Sequence, residues 1–275
     1  ILDEADRMVS MGFEAQVNSV LETMPSTNLK SLDEAEAERQ EKELSAIMQA
    51  RATAGTRAAA DVTAKQVYRT TVMFTATLPP EIERMTRKFL RRPAQVIIGN
   101  AGRVVDTVSQ HVLWIHNPEA KHKQLKQLLA EKEPPIMIFV NLKKAVDGLV
   151  KQLIKEGFNA VGLHSDRTQE QRERALDGFK AGRYDILVST DVASRGIDVK
   201  GVTVVVNYDM PTTFEAFVHR VGRTGRAGMR GEAISFVTKD DTDIMYDLRQ
   251  MLMETQSAIP REHNAHPAAV SRLTS

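Results

Sequence analysis

Ile136-Met137-Ile138-Phe139-Val140 is apolar at every position. A strand with one solvated face alternates apolar and polar residues, whereas a strand covered on both faces, as in a parallel sheet, reads as an unbroken apolar run. Similar short runs stand at 95–98, 112–115, 160–163, 186–188 and 202–206. The segments between them carry helix punctuation. Thr168 and Gln171, and again Thr212 and Glu215, have capping-box spacing, and Gly157 and Gly182 stand where helices should stop. Strands alternating with helices predict an α/β fold: a parallel sheet flanked by helices, with ligands at the carboxyl ends of the strands.

The 275 residues have room for two domains, or for one and a fraction. A net charge of +1 gives no global basic field, so any nucleic-acid site must be a local patch. There is no cysteine, which excludes disulfides and thiolate metal sites and fits a reducing compartment. No apolar run approaches membrane-spanning length, so no membrane partner is expected. The chain opens at Ile1 as if inside a strand, and it is expected to be a fragment. Residues 26–65, rich in Ala, Glu, Arg and Thr with an acidic cluster over 33–43, read as an insertion, either a solvated helix or disordered. The expected organisation is a first domain over 1–98, a linker over 99–107, a second domain over 108–253, and a tail over 254–275. That tail, with Pro260 and Pro267, is expected to lie over the surface or to be disordered.

Several stretches have the residue types of phosphoryl-transfer chemistry. Asp3, Glu4 and Asp6 follow an apolar strand end. There an aspartate can hold Mg²⁺, directly or through water, and a glutamate can polarise an attacking water, although a solvated acidic turn has the same composition. Thr75 and Thr77 can bond carboxylates or phosphates, or cap the helix expected at Pro79-Pro80. Gln169 and Arg172 lie one helical turn apart near a helix N-terminus, a phosphate cradle or an ordinary capped helix. In Ser189-Thr190-Asp191-Val192-Ala193-Ser194-Arg195-Gly196-Ile197-Asp198, Thr190 can bond a phosphate and Asp198 a ribose hydroxyl, with a flexible Gly196 between acids. His219-Arg220-Val221-Gly222-Arg223-Thr224-Gly225-Arg226 reads as a mobile basic turn whose Arg223 and Arg226 can reach a γ-phosphate, or as a generic anion loop.

Taken together, ILDEAD, the TAT triplet, HSDRTQEQR, STDVASRGID and HRVGRTGR resemble, in order and spacing, the motifs of the DEAD-box RNA helicases. The resemblance covers nearly the whole chain outside the insertion. It implies RecA-like P-loop NTPase domains, one truncated and one complete here, that close on ATP and single-stranded RNA. Asp3 and Glu4 then match the Mg²⁺ and water-activating acids. Asp6, Thr75, Thr77 and His219 match the residues linking ATP state to domain closure. Gly196, Asp198, Arg223 and Arg226 match the nucleotide contacts of the second domain, while Gln169, Arg172 and Thr190 match RNA-backbone contacts. The insertion after Pro25, TAT in place of SAT, and His266-Pro267 narrow the resemblance to the family's U5-associated splicing helicases. That branch implies spliceosomal snRNP partners, exchange of U1 for U6 RNA at the 5′ splice site, and a nuclear location.

Two positions depart from the family pattern: Ser165 stands for the usual Gly, and Ser194 for the usual Ala. The first can crowd a backbone approach to RNA. The family's adenine-reading motif, Walker loop and first-domain RNA motifs are not found within these residues. Residues 1–98 are therefore expected to have an uncovered sheet edge and an incomplete core. Two other readings stay open, a non-catalytic RNA-binding or scaffold module and a DNA translocase of the wider helicase superfamily. Trp114 is the only tryptophan and lies in an apolar run, so a core role is expected for it over base stacking.

Overall fold

The computed structural model describes residues 1–24, 33, 35, 36, 38, 39, 42, 45, 46, 70–90, 92–97, 107–193, 199, 201–226 and 228–271. Most of the insertion, most of the linker, and the stretch 194–198 with Gly196 and Asp198 lie outside these residues. Two compact units are present, Ile1–Ala101 and Gly102–Ser275.

In the first unit, α1 (Ala5–Ser10), α2 (Glu14–Thr23) and α3 (Pro80–Phe89) surround a small cluster of Ala5, Ile82 and Met85, to which Val9, Val17, Met73 and Phe89 add partial cover. Helix α3 begins with Pro80 in its first turn, carries Glu81 and Glu83 there, and ends on Arg87 and Lys88. That order suits both the missing proline N–H and the helix dipole. Leu2 and Met73 form one isolated parallel bridge, with Leu2 N–H donating to Val72 O and Phe74 N–H to Leu2 O, both at 2.8 Å. The run at 95–98 corrects the expectation of a strand. Residues 93–97 have no regular structure, and Val96 and Ile97 are 79% and 63% exposed. Apolar composition does not make a strand without a neighbour to complete the backbone ladder.

The second unit runs β1 (Val108–Trp114), α4 (Pro118–Glu131), β2 (Ile136–Phe139), α5 (Lys143–Lys155), β3 (Ala160–Leu163), α6 (Gln169–Lys180), β4 (Ile186–Ser189), β5 (Val204–Asn207), α7 (Phe214–Val221), β6 (Gly231–Val237), α8 (Thr242–Glu254), α9 (Arg261–Ala265) and α10 (Pro267–Val270). Among its described residues six strands, all parallel, run in the order β1-β6-β5-β2-β4-β3. Every residue of β2, β4 and β5 is buried, as unbroken apolar runs require. The pleat divides them between faces. Ile136 and Ile138 join Leu125, Leu128, Val146 and Leu149 on one side, while Met137 and Phe139 join Phe179, Leu187 and Val205 on the other.

Strand β6 was not among the sequence-predicted strands, because Glu232 and Ser235 interrupt its apolar run. Both are satisfied by side chains: Lys132 Nζ lies 2.5 Å from Glu232, and Asn207 Nδ2 donates to Ser235 Oγ at 3.0 Å. The Thr168–Gln171 capping box is present in both directions. The Thr212–Glu215 box is displaced by one residue. Thr213 caps α7, its hydroxyl accepting from Ala216 N at 3.2 Å. Gly157 and Gly182 have φ of +90° and +70° just past α5 and α6, where a left-handed residue ends a helix.

The tail is a correction as well. Pro260 and Pro267 start short helices, and Ala268 and Ala269 are small enough to pack into the cluster of Phe217, Met245 and Leu248. Trp114 is half-buried against the same cluster, its ring 6.2 Å from that of His266. His263 is fully buried and donates from Nε2 to Met245 O at 3.0 Å. Burial pushes its pKa below the ordinary 6.5, and the Met245 bond only partly opposes this. A base with a depressed folded pKa binds fewer protons than the unfolded chain, so its stabilising effect is present above pH 6.5 and fades as pH falls below. The urea midpoint, followed through Trp114 fluorescence, should therefore fall between about pH 7 and 5. His263→Gln should flatten that slope, and an unchanged slope would remove His263 as its source.

Candidate functional site

The first unit brings its acids and hydroxyls together. Asp3 is exposed, and Glu4, half-buried, caps α1 with φ 50° and ψ 49°. A left-handed glutamate costs about 1–3 kcal/mol and persists where its surroundings over-determine it. Here the Leu2–Met73 bridge stands on one side and α1 on the other, while Glu4 N–H donates to Asp3 Oδ1 at 3.0 Å. Asp6 is 1% exposed. Its Oδ2 accepts from both Thr77 N and Thr77 Oγ1 at 2.8 Å, and its Oδ1 from Arg7 N at 3.0 Å. Asp6 N–H donates to Thr75 Oγ1 at 3.3 Å, and Thr75 Oγ1 donates to Thr77 O at 2.6 Å. The threonines thus bind the acidic turn. They do not cap α3, whose N-cap is Pro79, without a side-chain bond.

In the second unit Thr190 follows a strand end, Gln169 and Arg172 lie on α6, His219 lies on α7, and Arg223 and Arg226 lie in the turn after it. Arg172 Nη1 donates to Gln169 Oε1 at 3.2 Å, so the two share one helix face, on which Gln169 is exposed and Arg172 half-buried. The loop ahead of α6 is held by ion pairs. Arg167 Nη2 reaches Asp147 Oδ1 at 2.6 Å, and Arg167 Nε donates to buried His164 Nε2 at 3.1 Å. Burial alone would raise the Asp147 pKa. The hydrogen bond and charge of Arg167, together with the adjacent His164, outweigh it and hold the carboxyl below its ordinary value. Thr190, just past β4, is buried.

The basic turn is pinned in place. Thr224, buried, donates to Val202 O at 2.5 Å, and Arg226 Nε donates to Gly222 O at 2.6 Å. Gly225 has φ +67°, and a Cβ there would strike Val108 and meet Thr107 Oγ1 at 2.9 Å. A Cβ on Gly231 would overlap Thr224. These glycines permit close packing against the starts of β1 and β6, which corrects the expectation of a mobile loop. Arg223 is largely buried, and His219 lies 3.9 Å from Glu215.

Arg220 was read from the sequence only as part of the basic turn, with no role of its own. It is buried, with Nε and Nη2 on the two oxygens of Asp191 at 2.6 and 2.7 Å. A signal was available: Phe217, Arg220 and Val221 have i, i+3, i+4 spacing, which puts Arg220 in the apolar stripe of α7.

Residues 120–228 match the helicase conserved C-terminal domain family. Over 270 residues, 98% of the chain, it is 50% identical to the human "Probable ATP-dependent RNA helicase DDX23". The chain belongs to the DEAD-box RNA helicase family. Its fold is RecA-like, a parallel sheet flanked by helices as in solved helicases of this family. The crystal structure of the yeast DEAD-box splicing factor Prp28 matches all of the chain and 53% of its own, at 29% identity and a TM-score of 0.58. That of Prp28 from Chaetomium thermophilum bound to ADP matches 74% of the chain and 50% of its own, at 42% identity and a TM-score of 0.53. The chain spans about a third of the length of the curated relatives it matches. Among the described residues no helix is long and apolar enough to cross a membrane.

The Asp6 clamp can be tested directly. A bond to a buried carboxylate is worth about 1.5–3 kcal/mol, so Thr77→Val should speed amide exchange at Asp6 and Arg7 by roughly tenfold or more. Thr77→Ser should restore slow exchange, and equal protection in all three proteins would show that the hydroxyl carries no weight.

Proposed function

We propose that the chain serves an ATP-dependent RNA helicase that couples ATP hydrolysis to local opening of RNA duplexes in pre-mRNA splicing, at the 5′ splice site in the nucleus. The observation that carries this reading is the two-point grip of Thr77 on the buried Asp6, which ties the acidic turn to a second segment 71 residues away. Such a tie lets a change at the acids be felt elsewhere in the fold.

Asp3 and Glu4 offer carboxylate oxygens, the hard donors that Mg²⁺ takes, directly or through water. A bound Mg²⁺ supplies charge neutralisation at the phosphates. Glu4 polarises the attacking water, and its left-handed backbone keeps it at the turn. Arg223 and Arg226 would serve the terminal phosphate, and Gly196 and Asp198, which lie outside the described residues, are assigned to the nucleotide. Asp6, Thr75, Thr77 and His219 relay the state of the nucleotide to closure of the lobes over 1–98 and 108–253. Gln169, Arg172 and Thr190 hold RNA through its backbone, which favours RNA over DNA with little sequence preference. The relatives' names support the reading: the human protein is called an ATP-dependent RNA helicase, the yeast structure a splicing factor, and the Chaetomium structure holds ADP. The implied partners are RNA and spliceosomal snRNP components.

In the intact protein, Arg226→Ala should cut turnover by about 10³-fold or more while sparing nucleotide-free binding of single-stranded RNA. Turnover close to wild type would sink the assignment. The 275 residues contain no Walker loop, so by themselves they should show no measurable ATPase. RNA-stimulated turnover from this chain alone would contradict that.

A further inference from the structure

We infer that Arg220 is a positioning residue through which the arginine turn responds to the RNA-facing loop. The inference rests on the roles proposed above for Thr190, Arg223 and Arg226. Three strands end side by side, and the residue two past each end points to one side chain. Asn141 follows β2, Asp191 follows β4 and Asp209 follows β5. Arg220 binds all three: Nε and Nη2 the carboxylate of Asp191, Nη2 also Asn141 Oδ1 at 2.8 Å, and Nη1 the Asp209 carbonyl at 2.5 Å. The guanidinium lies 5.2 Å from the Phe139 ring centroid and is 1% exposed.

The three anchors are held by different neighbours. Asp209 is braced by Lys121 Nζ at 2.5 Å on one oxygen and Asn141 N at 3.1 Å on the other, and Asn141 Nδ2 donates to Met210 O at 2.8 Å. These bonds tie the ends of β2 and β5 to each other. Asp191 is joined directly to Thr190, and its side chain is 27% exposed. A bidentate arginine–carboxylate pair has a fixed relative orientation, so a shift of Thr190 and Asp191 must either break the pair or turn the guanidinium. Arg220 lies on α7, and its carbonyl accepts from Arg223 N at 3.0 Å. A turn of Arg220 is thereby passed to Arg223 and to the turn leading to Arg226.

A purely structural role predicts something different. Weakening Arg220 would then lower stability and the active fraction, with and without RNA alike. A positioning role predicts a loss confined to the response to RNA. Two variants of the intact protein separate these, with ATP turnover measured across a single-stranded RNA titration and without RNA. Arg220→Lys keeps a charge opposite Asp191 but cannot hold the fork and the two other anchors together. Asn141→Ala removes one anchor at an exposed residue. The ratio of RNA-stimulated to RNA-free turnover should fall by about fivefold or more in Arg220→Lys, the lower range of coupling between sites, and by about twofold or more in Asn141→Ala. RNA-free turnover and nucleotide-free RNA affinity should remain near wild type in both. Combining the two should add little, because both act through one side chain. If Arg220→Lys fails to fold, the ratio in Asn141→Ala decides. An unchanged ratio, or equal losses with and without RNA, overturns the inference while leaving the proposed function intact. A wild type whose turnover RNA does not stimulate removes both.

Discussion

A parallel strand leaves no face for water, and that constraint organises the second unit. Once β2, β4 and β5 are apolar on both sides, helices must cover the sheet twice, and polar groups are driven to the strand ends or must find partners inside. The strand ends collect Asn141, His164, Thr190, Asp191 and Asp209 in one neighbourhood. Inside the sheet, Asn207 and Ser235 pair with each other. The location of the candidate chemistry is therefore a consequence of how the core is covered.

The same logic explains why the charged groups that matter are so tightly held. Arg220 and Asp6 are each almost fully enclosed, and each bonds to partners from distant parts of the chain. An ion removed from water must be met on all sides, so a buried charge necessarily records a specific arrangement of several segments. Gln169, exposed, and Arg172, half-buried, bond to each other one helical turn apart, and Gln169 also reaches Glu173 on the same helix. The two kinds of polar residue suit different tasks, one for alignment and one for contact.

Much of this was legible along the chain. The continuous apolar runs marked five of the six strands, the Thr168 box marked the start of α6, and the left-handed glycines marked two helix ends. Other parts were not. β6 was hidden because its polar interruptions are satisfied by residues 100 and 28 positions away. The run at 95–98 looked like a strand because pairing partners leave no trace in a single segment. The tail was expected to lie over the surface or to be disordered because prolines usually break regular structure, and only the packed Ala268 and Ala269 show that these two lead into helices.

Order and spacing of short motifs were enough to identify the family, since those depend on local residue types and on the distances between them along the chain. Sequence alone also determined the α/β alternation, because periodicity is a local property. The fold alone decided which arginine is enclosed, which hydroxyls grip Asp6 and which end of the chain belongs to the core. Each of those outcomes depends on a contact between residues far apart in sequence, and such a contact exists only after the chain has closed around it.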